Sequence, residues 1–475
     1  MTADPSIALP RGLVRCPSWT LGALLALLAL ALPAGAARAG FPPIQHWTTP
    51  EGTRVYFVEA RGLPMVDLHL VCDAGSARDG ERWGLAALTA AMLDQGAGGL
   101  DADALAERFE RVGAAFGAGA GRDLARVTLR SLRDPKHLEP ALETFLLVVG
   151  RPDFPEEALE RERQRTLVAL EARQEDPGTV AGDAFMRALY GRHPYAHPVP
   201  GERRTVEALD RKALQAFHRR HYAAGNCAVT LVGDLEEEEA RRIAARVAGA
   251  LPPGEALPPL PQPRAPERAL ERRIPFPSTQ THIRLGQLGL ARQDPDHFPL
   301  IVGNYVLGGG GLVSRISRTI REEHGLSYAA YSYFSPLRVP GPFVAGLQTR
   351  NAEAGKALEL LREEIRRFRE EGPTEEELEA ARRFLTGSFP LRFDSNAKIA
   401  RHLDVIAFYR LPLDWLDRYV ERVRAVTREQ VREAFRRRLD PGRMVLVVVG
   451  GAVADEAEEE AMEGTPGEEA PGAGP

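Results

Sequence analysis

The sequence predicts an α+β fold built twice: two homologous domains, each an antiparallel-rich sheet packed with helices, in a clamshell arrangement. Three observations carry this. In each half, strands come first, helices follow, and a buried strand closes the unit. The closing segments also match: AFHRRHYAAGNCAVTLVGD at 216–234 is mirrored by AFRRRLDPGRMVLVVVGG at 434–451, with one residue of slippage. Between the halves, LPPGEALPPLPQPRAPE at 251–267 is proline-dense and predicts a semi-rigid extended linker. The first domain is therefore placed at 41–250 and the second at 268–451, each of roughly 200 residues. A chain of 475 residues is too long for one core, which agrees.

In chain order, Arg11 and Arg15 precede the apolar run LGALLALLALAL at 21–32, and Ala37-Arg38-Ala39 supplies a cleavage signal. The run is shorter than the roughly 20 residues of a membrane span. Residues 1–39 thus read as a secretory signal peptide, and the mature chain is expected to be exported, to the periplasm or outside the cell. No later run is long enough to span a bilayer. Residues 41–60 predict two strands around Pro50-Glu51-Gly52, and Val66–Ala74 a strand entering a core. Gly84–Leu93, GLAALTAAML, is apolar all round and predicts a buried helix. An amphipathic helix at Asp101–Val112 precedes a hairpin over Ala114–Leu132, turning at Gly119-Ala120-Gly121. Helices follow at Asp134–Val149, Pro155–Glu175, Thr179–Tyr190 and Val206–Tyr222, then a buried strand at Cys227–Gly233 and a helix from Glu236.

After the linker the pattern restarts. Ile283–Gly289 predicts a strand and Asp296–Leu307 a helix. Pro342–Gln348 is a further strand and Ala352–Glu371 a helix. Thr374 with Glu377 forms a capping box for a helix through Leu385, and Thr427 with Gln430 a second one. Asn396–Tyr409 and Trp415–Val423 read as helical, and Met444–Gly450 as the closing strand. Residues 452–475 are acidic, Gly/Pro-containing and poor in apolar residues, so a disordered tail is expected.

Chemistry is concentrated in Leu307–Tyr333, LGGGGLVSRISRTIREEHGLSYAAYSY. Gly308, Gly309, Gly310 and Gly311 precede a short helical pattern with Ser314 as its N-cap and Ile316 and Ile320 as its apolar stripe. Gly325 stands where a helix end needs a left-handed residue. Arg321 then falls in the last helical turn and Tyr328 on the strand after it. A planar cation and a neutral donor brought together there can hold a peptide carbonyl. The bland alternative is a glycine-rich hinge with two surface side chains.

Other features exclude functions. A net charge of −5 gives no broad cationic surface for nucleic acid. The glycine run lacks the Lys-Ser/Thr of a phosphate loop. Cys16 leaves with the signal. Cys72 and Cys227 form either one disulfide or two buried thiols, the second reading being preferred, and they are too few for a cysteine-rich metal site. His193 and His197 are four apart, but Pro194 and Pro198 break any helix between them, so a structural loop is expected. His218 and His221 read as surface or packing residues.

The duplicated halves, His193-Pro194-Tyr195, the closing LVGD, and SRI followed by REEHGLSY resemble the insulinase/pitrilysin family of inverted zincin metallopeptidases, which includes mitochondrial processing peptidase. The resemblance covers about residues 45–451. It implies a helix carrying H-x-x-E-H, where two histidines hold zinc and the glutamate activates water, with a further glutamate ligand on a later helix. Here that pattern falls on GLAALTAAML. The histidine positions are Ala87 and Ala91, the glutamate position is Ala90, and the later ligand position is Ala169, with Glu171 near but off register. A methyl group neither coordinates zinc nor takes a proton. Arg321 and Tyr328, seven residues apart, match the pair that in active members binds the scissile carbonyl and stabilises the oxyanion. Gly308–Gly311 matches the glycine-rich loop of the zinc-less processing-peptidase subunit, which implies substrate contact; its alternative is a tight lead into the helix.

The resemblance therefore implies the zinc-less subunit of an exported two-subunit peptidase. It binds no cofactor itself. Zinc is expected in a partner, an H-x-x-E-H homologue forming a heterodimer with this chain, and the substrate is an unfolded peptide added to a sheet edge. The alternative is a non-catalytic peptide-binding or scaffolding pseudopeptidase of the cell envelope. A stand-alone peptidase using Glu171 and a displaced histidine is disfavoured, because no histidine remains on that helix.

Overall fold

In the computed structural model, which describes residues 41–451, alternating and continuous apolar runs build two large sheets, beside a two-stranded ribbon of Gly96–Ala97 and Leu100–Asp101. The expected signal peptide and acidic tail lie outside the described residues. The first sheet holds β1 (Gln45–Thr48), β2 (Arg54–Glu59), β3 (Met65–Cys72), β4 (Ala115–Ala120), β5 (Ala125–Leu132) and β6 (Cys227–Gly233), in the order β1-β2-β6-β3-β5-β4. The second holds β7 (Leu270–Ile274), β8 (Gln280–Leu288), β9 (Ala330–Phe334), β10 (Pro342–Arg350) and β11 (Val445–Val449), in the order β9-β10-β8-β11-β7. The closing strands each have one parallel and one antiparallel neighbour: β6 runs parallel to β2 and antiparallel to β3, and β11 parallel to β7 and antiparallel to β8. Both sheets are otherwise antiparallel, and, β1 aside, their strand orders coincide. The duplication read from the closing segments thus extends to the whole topology.

Strand β7 was not anticipated. Its sequence LERRI carries three charges, and as an edge strand it needs no buried face. The hairpin turns at 121–124 rather than at Gly119–Gly121. The helix expected at Trp415–Val423 begins only at Tyr419. Trp415 sits before it, packed on Phe298 with ring centroids 5.4 Å apart. Both capping boxes are formed.

Helices of the first half are α1 (Leu85–Ala91), α2 (Ala102–Arg111), α3 (Pro135–Gly150), α4 (Glu156–Gln174), α5 (Pro177–Tyr190), α6 (Arg203–Glu207), α7 (Arg211–His221) and α8 (Glu237–Ala250). Those of the second are α9 (His297–Asn304), α10 (Arg315–Ser317), α11 (Ala354–Glu371), α12 (Glu375–Gly387), α13 (Asn396–Tyr409), α14 (Tyr419–Ala425) and α15 (Arg428–Arg438).

Two helices are exchanged between the halves. Helix α5 packs on β8 and β11 of the second sheet, and α13 packs on β3 and β6 of the first. Ala181, Phe185 and Leu189 of α5 share a buried cluster with Val445, Val447 and Val449. Gly286 makes room for this, since a Cβ there would sit 2.9 Å from the Phe185 ring. On the other side, the fully buried Asp404 of α13 accepts hydrogen bonds from His69 Nδ1 (2.9 Å), Arg126 Nε (2.5 Å) and Thr230 Oγ1 (2.7 Å). Burial alone would push this carboxyl up. His69, Arg126 and the Thr230 hydroxyl outweigh burial and hold it below the usual carboxylate range. Each half completes the other's core, so the two-domain unit is knit together by packing more than by its linker.

The preference for two free thiols is corrected. Cys72 and Cys227 oppose each other in register on β3 and β6 and form a disulfide. Strand register across 155 residues of sequence is what brings them together.

Candidate functional site

Helix α1 is where the hydrolytic machinery of an inverted zincin would stand. Gly84, at φ 95°, turns the chain into it, and the buried carboxylate of Asp79 accepts from the Gly84 and Ala86 amides, both at 2.8 Å. Burial pushes the Asp79 carboxyl up to about 7, against the two amide bonds that favour its charge. Leu85, Ala86 and Leu88 face the core and Ala90 is 1 % exposed, whereas Ala87 is half-buried and Ala91 exposed. The helix packs against α4, where Ala169 is also exposed, and against β4. Methyl groups thus occupy all the positions where ligands and base are expected.

The residues present do not fit zinc. Among the described residues no group of three or more His, Cys, Asp or Glu side chains is placed to hold a metal. Glu171 is exposed and ion-paired with Arg203. His193, His197, His218 and His221 are structural. His193 Nε2 donates to the Pro261 carbonyl (2.9 Å) while its Nδ1 accepts from the Tyr195 amide (3.1 Å). His197 is stacked on Trp83. His218 and His221 are buried rather than on the surface: His218 Nε2 donates to the Val149 carbonyl (2.9 Å), and His221 stacks on Phe217. Burial drives both imidazoles down to about 4.

Strand β4, AFGAGA, ends the first sheet: it pairs with β5 and has no strand on its outer side among the described residues. It carries neither charge nor proline, the usual guards of an edge. An extended peptide can add there, directly beside α1.

In the second half, α9 runs into a π turn at Tyr305–Gly309, then a 3-10 turn at Gly311–Val313. The glycines answer to packing. A Cβ on Gly308 would collide with the backbone nitrogen and hydroxyl of Ser332, one on Gly309 would meet the Asn304 side-chain amide nitrogen at 2.6 Å, and one on Gly310 the Tyr305 carbonyl at 2.7 Å. Gly311 has φ 64°. Ser314 precedes α10 as expected, but its hydroxyl donates back to the Gly311 carbonyl (2.7 Å) instead of capping. Helix α10 then widens into a π turn, Arg318–Glu323, closed by Gly325 at φ 64°.

Arg321 lies in that π turn, exposed. Tyr328 lies in the loop before β9, not on the strand, and is 83 % exposed. No hydrogen bond joins the two, and neither side chain has a hydrogen-bond or ion-pair partner among the described residues. Arg315 differs: it is buried and bidentate on Glu377 at 2.8 and 2.6 Å, while Arg318 lies 3.8 Å from Glu323. The same short segment therefore holds one arginine locked into the fold and one left open to solvent.

What the sequence did not reveal is the polar junction of the halves. Besides the Asp404 cluster, Asp123 accepts from the Tyr195 hydroxyl, the Tyr409 hydroxyl (2.9 Å) and the Arg338 amide (2.8 Å). Asp73 binds Arg78 at 2.9 and 2.6 Å and Arg338 at 2.5 Å. The only signal available was the His193-Pro194-Tyr195 segment, whose Tyr195 proves to be part of this clasp.

Comparison with known proteins agrees with this geometry. The profile described as insulinase (peptidase family M16) matches residues 54–203, and that described as peptidase M16 inactive domain matches 208–385. A crystal structure of a peptidase M16 inactive domain from Pseudomonas fluorescens is 43 % identical with TM-score 0.84, over 86 % of this chain and 99 % of that one. The non-peptidase homolog YmxG of Helicobacter pylori is 25 % identical over 84 % of this chain and 92 % of its own. An uncharacterized zinc protease of Streptomyces coelicolor is 30 % identical over 59 % of this chain; the match spans 62 % of that relative's length.

Proposed function

This chain belongs to the insulinase (peptidase M16) family, among its inactive members, and from that premise we propose that it is the non-zinc subunit of an exported two-subunit peptidase. A partner carrying H-x-x-E-H brings the zinc. This chain brings Arg321 and Tyr328, which bind the scissile carbonyl of an unfolded peptide and stabilise the charge that develops on it. Gly308–Gly311 orders the segment that presents them and contacts the substrate. The observation that carries this reading is an asymmetry: Ala87, Ala90, Ala91 and Ala169 stand where a metal would be gripped, while an unpaired guanidinium and an exposed phenol remain in the other half. The test is peptide cleavage by the chain reconstituted with a zinc-bearing homologue from the same genome. Arg321→Ala and Tyr328→Phe are each expected to lower kcat by about 100-fold or more, the range for loss of an oxyanion donor. Unchanged rates in both variants refute the role.

The second reading, a non-catalytic peptide-binding or scaffolding protein of the envelope, is favoured by the open edge of β4 and by the name of the Helicobacter relative. On this reading extended peptides bind to the chain alone, and the reconstituted pair hydrolyses nothing.

A further inference from the structure

We propose that the cleft where the two halves meet the linker, lined by Arg54, Arg292, Arg338 and Arg410, binds a small multivalent oxyanion, a molecule bearing two or more phosphate or carboxylate groups. The cavity measures about 370 Å³ and is walled by both halves and by residues 256–259 of the linker. That volume lies at the small end of ligand sites, roughly 300–1,000 Å³.

The argument is one of unbalanced charge. Asp73 is the only acid lining the cleft, and it is already bound by Arg78 and Arg338. Arg54 donates to the Ala407 carbonyl (2.5 Å) and to the Tyr56 hydroxyl, neither of them a carboxylate. Arg292 lies over the Tyr409 ring at 5.0 Å, and its buried Nε has no acceptor. The Arg410 guanidinium has no hydrogen-bond or ion-pair partner among the described residues, and the residue holds a left-handed backbone at φ 52°, a conformation usually left to glycine. The crowding registers on Arg54, whose guanidinium is held below its usual value by burial, with Arg410 and Arg338 adding to the effect.

Two structural explanations fall short. The cleft adjoins the C-terminus of α13, whose carbonyls attract cations. Those carbonyls are, however, already served by Arg54 at Ala407 and by Gln293 Nε2 at Tyr409 (2.6 Å), so Arg292 and Arg410 remain surplus. Nor is the imbalance common to both clefts: in the larger one, of about 560 Å³, three of the five lining arginines are neutralised, Arg173 by Asp183, Arg187 by Glu202 and Arg203 by Glu171. Guanidinium groups bind phosphate and carboxylate as planar forks, so several around one cavity select a ligand with more than one anionic group. A ligand here touches both halves and the linker and stabilises their union by mass action.

This proposal does not rest on the peptidase-subunit reading. The test titrates the full chain with sodium pyrophosphate and, separately, with sodium citrate, by calorimetry and thermal unfolding at ionic strength held constant with sodium chloride. The expected result is saturable one-to-one binding of at least one probe, with a rising Tm. Pyrophosphate alone marks a phosphate ligand and citrate alone a carboxylate ligand. Arg292→Ala and Arg410→Ala are each expected to weaken binding about tenfold, the loss of a charge-assisted bond, while circular dichroism stays unchanged. Arg204→Ala, in the other cleft, leaves binding as it was. Absence of saturable binding by both probes, or affinity unaltered in the Arg292→Ala/Arg410→Ala double variant, overturns the proposal.

Discussion

Replacing Asp404 by alanine tests whether the exchanged helices hold the halves together. The carboxylate is fully buried and is the acceptor for His69, Arg126 and Thr230, all from the opposite sheet. Breaking a buried ionic cluster by removing one partner costs about 3–5 kcal/mol, because the remaining groups stay desolvated without compensation. The Arg126 side chain keeps 33 % exposure and can turn toward water, which places the expected loss near the lower end, about 3 kcal/mol. Asp404→Asn keeps the shape and can still accept from Thr230, so about 1.5–3 kcal/mol is expected from the lost charge-assisted bonds. The Asp404 carboxyl is held below the usual range, so its contribution is complete above the unfolded carboxylate pKa of about 4 and disappears as pH falls through the folded value. The gap between wild type and Asp404→Asn is therefore full at neutral pH and closes only in acid. Urea unfolding followed by far-ultraviolet circular dichroism measures it, and wild type should unfold in one transition because each half lacks its own covering helix. Asp404→Ala within about 1 kcal/mol of wild type, or two separate transitions in wild type, refutes the reasoning.

Burial holds His218, His221 and His297 down to about 4, below an unfolded value of about 6.5. The unfolded chain takes up their protons first, so stability falls as pH drops from about 6.5 to 4, by up to about 1.4 kcal/mol per pH unit for each histidine. His218→Asn should flatten that slope in pH-dependent urea melts. The Cys72–Cys227 bond closes a separation of 155 residues, and a Cys72→Ala/Cys227→Ala variant should lose about 2–5 kcal/mol, with Ellman's reagent detecting no free thiol in the unreduced parent made without residues 1–39. Zinc analysis of the purified chain should find no stoichiometric metal, whereas Ala87→His/Ala90→Glu/Ala91→His/Ala169→Glu should acquire it. Failure of the fourfold variant to bind zinc while still folded would mean α1 and α4 no longer hold the geometry of a metal site.

Much of the architecture was legible because it is written in local periodicity. The valine-rich closing strands, the paired capping boxes at Thr374 and Thr427, and the apolar helix GLAALTAAML each declare themselves within a window of about ten residues. The loss of the metal site was legible only through the family resemblance, which puts the ligand and base positions on the alanines at 87, 90, 91 and 169. Strand β7 escaped notice because an edge strand with charges on both faces has no period to detect. Tyr328 was placed two residues too early on a strand, since strand ends are set by the partner, β10, and not by the residues themselves.

By itself the sequence determined most of the strands and helices and that the unit is doubled; through the family resemblance it also put alanines where hydrolytic ligands are expected. Tertiary structure alone decided that α5 and α13 change places, that Cys72 meets Cys227, that Arg315 is locked on Glu377 while Arg321 stays open, and that arginines from three segments converge on one cleft. Periodicity reports which face of an element is apolar, but not which sheet that face will cover. Contacts between residues hundreds of positions apart depend on register and packing, which no local window contains.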